Sequence, residues 1–204
     1  NKIIADYDTD PNKIIYDNID GHAVSQGIST NIDVNFNNGL KLIAGATIMD
    51  VSNIENGVRE RPYLTEKFTA TWSVSYKINP IDLGIDYTGN LYSSMKLPLL
   101  GDNDPRDPNS PWYSLQNIQF TYRGFKNLEV YGGVKNVLNF KPTRNNPFII
   151  ARANDPFDKQ VQFDANGNAI ATPNNPYGLT FDPSYVYAPN QGIRGFFGLR
   201  YNLR

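Results

Sequence analysis

An all-β, transmembrane antiparallel barrel is the fold the sequence predicts, and three observations carry it. Residues 68–78 read Phe-Thr-Ala-Thr-Trp-Ser-Val-Ser-Tyr-Lys-Ile, with Phe68, Ala70, Trp72, Val74, Tyr76 and Ile78 on one face and Thr69, Thr71, Ser73, Ser75 and Lys77 on the other. Alternation of this kind is the signature of a β-strand, whose successive side chains point to opposite sides of the pleat. Soluble strands run to about 5–6 residues, whereas a tilted strand crossing a bilayer needs about 9–11. The second observation is that the pattern recurs along the chain with connectors that alternate between short and long. The third is that all 14 prolines fall outside the alternating segments, as expected when proline cannot donate to a ladder.

Seven full strands follow from period 2, at 25–36, 40–51, 67–78, 81–93, 112–123, 127–138 and 191–203. In the first, Ile28, Thr30, Ile32, Val34 and Phe36 oppose Ser29, Asn31, Asp33 and Asn35. The second directs Leu40, Leu42, Ala44, Ala46 and Ile48 outward. In the fourth, Ile81, Leu83, Ile85, Tyr87 and Leu91 oppose Asp82, Gly84, Asp86, Thr88 and Asn90. The fifth alternates cleanly through Ile118, Phe120 and Tyr122, the sixth through Leu128, Val130 and Val134, and the last through Ile193, Phe197, Leu199, Tyr201 and Leu203. Residues 1–5 read as the tail of an eighth strand whose beginning is missing; the chain opens at Asn1 with neither an initiator Met nor a signal peptide, so either a signal was removed or this is an internal piece of a longer polypeptide.

Asn37-Asn38-Gly39, Asn79-Pro80 and Gly124-Phe125-Lys126 read as tight hairpin turns. The long connectors are 6–24, 52–66, 94–111 and 139–190. Membrane barrels carry short periplasmic turns and long extracellular loops, so these loops are expected outside the cell and the C-terminus in the periplasm. Tyr76, Tyr122 and Tyr201 near the short turns, with Tyr92, Trp112 and Tyr113 near the long loops, suggest two aromatic girdles at the headgroup level. A soluble β-sandwich with large loops is the alternative that period 2 alone leaves open.

Composition excludes several functions. A net charge of −1 offers no basic field for nucleic acid. The absence of cysteine rules out disulfides and thiolate metal sites, and the single histidine, His22, rules out a His cluster within the chain. No catalytic constellation is present, so no enzyme is expected. Alternating carboxylates can bind calcium through hard oxygen ligands, which makes Asp102, Asp104 and Asp107 candidates, with Asp6, Asp8 and Asp10, and Asp155 and Asp158. Asp164-Ala165-Asn166-Gly167-Asn168 reads more simply as a hairpin turn. Lys41, Lys77, Asp82, Asp86, Glu129, Lys135, Arg194 and Arg200 line the inward face. Within 139–190, the aromatics Tyr177, Phe181, Tyr185 and Tyr187 are candidate ligand contacts, and the same aromatics can instead build a core for the loop.

The C-terminal stretch resembles the end of a TonB-dependent outer-membrane receptor. Tyr131-Gly132-Gly133-Val134-Lys135-Asn136-Val137-Leu138-Asn139 is similar to the family's penultimate strand, which closes on an Asn-Leu-Phe-Asp-like motif. Here the motif is Asn136-Val137-Leu138-Asn139, which keeps the first Asn and differs at the other three positions. Residues 185–203 resemble the final loop and strand, ending on Leu203-Arg204 where the family commonly has a terminal Phe. Asp8-Thr9-Asp10-Pro11-Asn12-Lys13-Ile14-Ile15-Tyr16 looks like receptors of the Bacteroidetes. The resemblance implies a 22-stranded barrel blocked by a plug, of which this chain supplies the last seven or eight strands. It implies import of a scarce nutrient, more in the manner of the metal-chelate branch (siderophore, haem or cobalamin) than of the glycan branch. The implied partners are the remainder of the receptor, the TonB-ExbB-ExbD complex acting through the plug, outer-membrane lipid and a surface lipoprotein. A small standalone barrel serving as anchor or adhesin is the other reading.

Overall fold

The computed structural model describes residues 3–6, 15–18, 20–99, 106–150, 162–165, 169–173 and 180–203. In chain order the strands are β1 (Ile3–Asp6), β2 (Ile15–Asn18), β3 (Gly21–Asn35), β4 (Leu40–Glu55), β5 (Val58–Glu60), β6 (Phe68–Ile78) and β7 (Leu83–Tyr92). They continue as β8 (Tyr113–Phe125), β9 (Leu128–Lys135), β10 (Ile149–Ile150), β11 (Gln162–Phe163), β12 (Ala169–Ile170), β13 (Thr180–Phe181) and β14 (Arg194–Tyr201). An antiparallel sheet runs β14-β9-β8-β7-β6-β4-β3, with β5 added beside β4. No helix among the described residues is long and apolar enough to cross a membrane.

Because paired residues share a face, the register extends the alternation of each strand across the sheet. Ile32, Ala44, Trp72 and Gly89 form one such row, and Val34, Leu42, Val74, Tyr87, Ile118 and Val134 form the next. Asp33, Ile43, Ser73, Thr88, Asn117, Lys135 and Arg194 form a row on the opposite face. The apolar face is bare: Ile28 is 78% exposed, Ile48 63% and Phe197 71%. The buried hydrophobic residues lie elsewhere, around Met95, Tyr113 and Ala188 and around Leu97, Phe148 and Tyr185, where the loops meet. A water-soluble sheet covers its apolar face with a second layer. Here, among the described residues, the packed core lies at one end.

Several boundaries depart from the sequence expectation. β3 starts at Gly21 and β4 runs to Glu55, so part of each segment expected as loop, 6–24 and 52–66, is strand, and His22 lies in β3. β4 turns into β5 through Asn56 (φ 49°) and Gly57 (φ 78°), an Asn-Gly hairpin turn. The ladder persists there although the alternation stops, because both faces carry polar groups and hydrophobicity no longer reports the pleat. β1 pairs with β2 in a separate two-stranded sheet and not with the main sheet. The last short turn sits at Lys126-Asn127, with Asn127 at φ 60°, because a register shift between Tyr122 and Phe125 keeps Gly124 and Phe125 in β8. Asn79–Ile81 forms a 3-10 turn closed by Asp82 at φ 49°, which moves the start of β7 to Leu83.

Candidate functional site

At the end of the sheet carrying the long connectors, two loops are tied to one another. The first, between β7 and β8, folds back on itself: the Leu97 amide donates to the Pro108 carbonyl (2.8 Å) and the Ser110 amide to the Met95 carbonyl (2.9 Å). Its Arg106 is then placed against Asp182 of the second loop, 2.6 Å apart, with side chains only 3% and 5% exposed. A buried ion pair overcomes its desolvation cost only when its remaining valences are also satisfied. Asp182 meets this condition by accepting from the Ser184 amide (3.0 Å) and hydroxyl (2.6 Å). The Arg106 guanidinium lies 4.0 Å from the centre of the Tyr185 ring, a cation–π contact.

Asn146 completes the tie. Its amide donates to the Asn109 carbonyl (3.3 Å) and the Tyr185 hydroxyl (3.1 Å), and its carbonyl oxygen accepts from the Tyr187 hydroxyl (3.0 Å). The Tyr185 hydroxyl donates onward to the Asp107 carbonyl (2.6 Å). Burial, and then the adjacent Tyr185, pushes the Tyr187 phenol above its ordinary value. It therefore stays neutral and remains a donor to Asn146.

Beneath this cluster, aromatic rings stack on the polar face. Tyr113 lies 4.9 Å from Tyr92 and 4.8 Å from Phe140, both stacked, and meets Tyr187 edge-on at 5.6 Å. Tyr92 and Tyr113, expected in a lipid-side girdle, therefore face the other way. The register pairs them with each other and with Thr69, a polar-face residue. Their neighbour Trp112 does lie on the apolar side, 57% exposed and 5.9 Å from Phe68. Successive residues on a strand take opposite faces, so 112 and 113 cannot share a girdle.

The motif at 136–139 acts as a clasp at the neck of the longest loop. Asn136 (φ 53°) and Asn139 (φ 51°) both take the left-handed conformation that Asn tolerates. The Asn136 side-chain amide donates to the main-chain carbonyls of Phe140 and Gln191, 2.8 Å each, while the Asn139 side-chain oxygen accepts from the Ile193 main-chain amide at 3.1 Å. The two ends of a connector more than 50 residues apart are thus held together just above β9 and β14.

On the polar face near the short turns, Glu129 is held between Arg123 (2.7 Å) and Arg200 (2.7 Å). Farther around the sheet, Asp33 pairs with Lys41 at 3.7 Å, and Asp86 accepts from the Ser75 hydroxyl at 2.6 Å.

The candidate ligand residues separate. Tyr185 has no exposed surface, and both its ring and its hydroxyl are engaged within the loop core. Tyr187 is partly buried at the junction of that core with the aromatic stack. Phe181 pairs through its backbone with Ile149, while Tyr177 lies outside the described residues. Of the calcium candidates, Asp102, Asp104, Asp8, Asp10, Asp155 and Asp158 lie outside the described residues, and Asp6 is in β1. Asp107 accepts from the Asn109 amide (2.9 Å). Among the described residues, no three acidic, histidine or cysteine side chains gather as a metal site. Asp164 stands beside a hairpin in which Gln162 pairs with Ile170. Arg106, Asp182 and Asn146 carry no sequence signal, since the pairing spans 76 residues and follows no periodicity.

No protein-family model and no curated protein matches this sequence. Solved structures do. The ferric-catecholate import receptor Fiu from Escherichia coli K12 matches with a TM-score of 0.50 at 17% identity, over 69% of this chain and 19% of its own. A variant of the ferric enterobactin receptor PfeA from Pseudomonas aeruginosa, in complex with enterobactin, matches with a TM-score of 0.50 at 19% identity, over 87% and 22%. The chain spans about a fifth of the length of these structures. At such identities the likeness establishes fold: the chain is a stretch of antiparallel, transmembrane β-barrel wall.

Proposed function

We propose that this chain is the closing part of the wall of a TonB-dependent outer-membrane receptor that imports a metal chelate. The observation that carries the reading is the division of labour in the fold. One face of the sheet is bare and apolar, as a lipid-facing wall requires, the other is polar, and the packed core of the described residues lies in loops gathered at one end. In this reading the long loops are extracellular, the short turns and the C-terminus periplasmic, and the polar face lines the lumen. The fold likeness to receptors named for ferric-catecholate import and for ferric enterobactin supports a siderophore-class cargo over a glycan.

Among the described residues, the two edges, β3 and β14, have no further strand beside them in the sheet. Unpaired backbone in hydrocarbon costs several kcal/mol per group, so these edges pair with further strands of the same receptor. The plug, and through it TonB-ExbB-ExbD, belongs to that remainder, and a surface lipoprotein can cover the loops. The quoted N-terminal residues support a Bacteroidetes-type receptor. Tyr187, with Tyr177 and Phe181, would face the arriving ligand, and Tyr185 would hold the loop that carries them. The function is transport, with no reaction assigned to any residue.

Denaturing mass analysis of the detergent-extracted natural protein, with N-terminal sequencing of every band, tests the reading. Polypeptide supplying a plug and further strands supports it, as does chelated-iron uptake that stops when the proton gradient is collapsed. A lone species of 23.0 kDa that stays folded would leave an anchor barrel and sink the importer.

A further inference from the structure

We propose that the apolar face of β3, β4 and β5 holds one anionic lipid at a fixed place, with an acyl chain in a groove over Ala46 and the headgroup phosphate on Arg59 and Lys67. The inference needs the transmembrane wall and is independent of what the receptor imports. The groove has a volume of about 740 Å³, and Ile28, Thr30, Ala46 and Ile48 line its apolar part. The register explains the hollow. Thr30, Ala46 and Ala70 form a row of short side chains, flanked on the long-connector side by the taller row Ile28, Ile48 and Phe68. At the end nearest the long connectors the lining turns polar, with Gln26, Asp50 and Lys67.

β5 brings a guanidinium to that end. The Asn56-Gly57 turn returns the chain so that Arg59 pairs with Ile54, on the same face as Ser52 and Asp50. The Arg59 side chain then runs back along β4 toward the groove. Its Nε donates to the Ser52 hydroxyl at 2.9 Å, and the far end of the guanidinium meets Asp50. A guanidinium has five N–H groups. These contacts engage two of them, and the side chain stays half-exposed. Lys67 is held through its backbone: its carbonyl accepts from the Met49 amide (2.8 Å) and its amide donates to the Ser93 hydroxyl (3.0 Å). Among the described residues Lys67 enters no ion pair, so this end of the groove carries two cations against Asp50.

The occupant has to be apolar along the groove and anionic at its polar end, in the order in which a bilayer presents an acyl chain and a phosphate. A free phosphate would satisfy the cations and leave the apolar part bare. A lipid with no net charge would fill the apolar part and leave the excess charge. The groove opens onto the bare apolar face of the wall, so an acyl chain enters it from the surrounding hydrocarbon without crossing water. Phosphate on Arg59 gains charge-assisted hydrogen bonds from a planar donor already oriented by Ser52 and Asp50.

Photolabelling of the complete natural receptor in phosphatidylcholine vesicles tests the proposal. The vesicles carry a trace of phosphatidylglycerol with a diazirine on its acyl chain, and peptide mass spectrometry maps the label. Label is expected to concentrate on 26–30 and 46–50, about tenfold or more above that from the same probe with a phosphatidylcholine headgroup. Each cation near a membrane surface favours an anionic lipid about fivefold, so Arg59→Gln and Lys67→Gln should each lower the excess by that factor. Ala46→Trp should remove label from the groove and leave it elsewhere on the wall, with heat-modifiable mobility showing that each variant is folded. Equal labelling by the two headgroups, or an excess that survives in the double variant Arg59→Gln with Lys67→Gln, would overturn the proposal. Loss of the excess on adding inorganic phosphate would reveal a free-anion site, and crosslinks from 26–30 to a second copy a protein contact; either overturns it too. Chelated-iron uptake is a separate readout, so failure here leaves the importer reading standing.

Discussion

Trp72 lies across Gly89, its direct partner in the neighbouring strand, so closely that a Cβ built on Gly89 would stand 2.3 Å from the indole ring. The side chain of Trp72 occupies the space that a residue at 89 would need, and Tyr87 flanks it at 6.4 Å. A glycine in mid-strand is ordinarily a weakness. Here it is the floor of an aromatic slot on the apolar face.

Gly89→Ala is therefore expected to displace the indole and to destabilise the barrel by about 1–3 kcal/mol, the cost of overpacking a filled site. The urea midpoint of the full receptor reads this directly. The double change Gly89→Ala with Trp72→Leu should recover much of the loss, whereas equal loss in both would mean that the slot does not matter.

Neighbouring positions 73 and 74 should respond oppositely to the same charge. Val74 sits mid-strand on the apolar face and Ser73 on the polar face. Val74→Arg is expected to cost about 2–4 kcal/mol, as for a cation near the bilayer midplane, and Ser73→Arg far less. Folding into lipid vesicles, followed by heat-modifiable gel mobility, compares the two. Equal tolerance at both positions would contradict the lipid-facing assignment.

Cutting one side of the buried ion pair should release both loops together. Asp182→Asn leaves Arg106 buried without its counter-charge, which is expected to cost about 3–5 kcal/mol of local stability. Hydrogen exchange should rise in 93–112 and in 180–190 while the strands stay protected. Exchange confined to the second loop would show that the tie between them is weak.

Alkaline titration should find Tyr187 titrating late. Because burial holds the Tyr187 phenol above its ordinary value, its contribution to stability is complete below about pH 10 and is lost as pH climbs through the raised value. Tyrosinate absorbance is expected to lose a late-titrating component in Tyr187→Phe. An unchanged curve would place the hydroxyl in water.

The fold was legible from residues alone wherever hydrophobicity reports the pleat. Phe68–Ile78 alternates throughout, and its strand begins and ends where the alternation does. β4 outruns its pattern by four residues because Asp50, Ser52 and Arg59 interact on what should be the apolar face, beyond the region where that face must be apolar. Prolines and Asn-Gly pairs marked connectors, since their backbone preferences are local.

What the sequence by itself determined is the face taken by residues inside the cleanly alternating segments, and from that the class of fold, because period 2 is a property of the extended backbone and needs no partner. Tertiary structure alone decided that Tyr113 joins a loop core while Trp112 turns to the apolar face, that Asn136 and Asn139 clasp a distant segment, and that Arg106 finds Asp182. Those outcomes depend on which strands lie side by side and on contacts between residues tens of positions apart. No spacing rule in a single chain encodes a meeting of that kind.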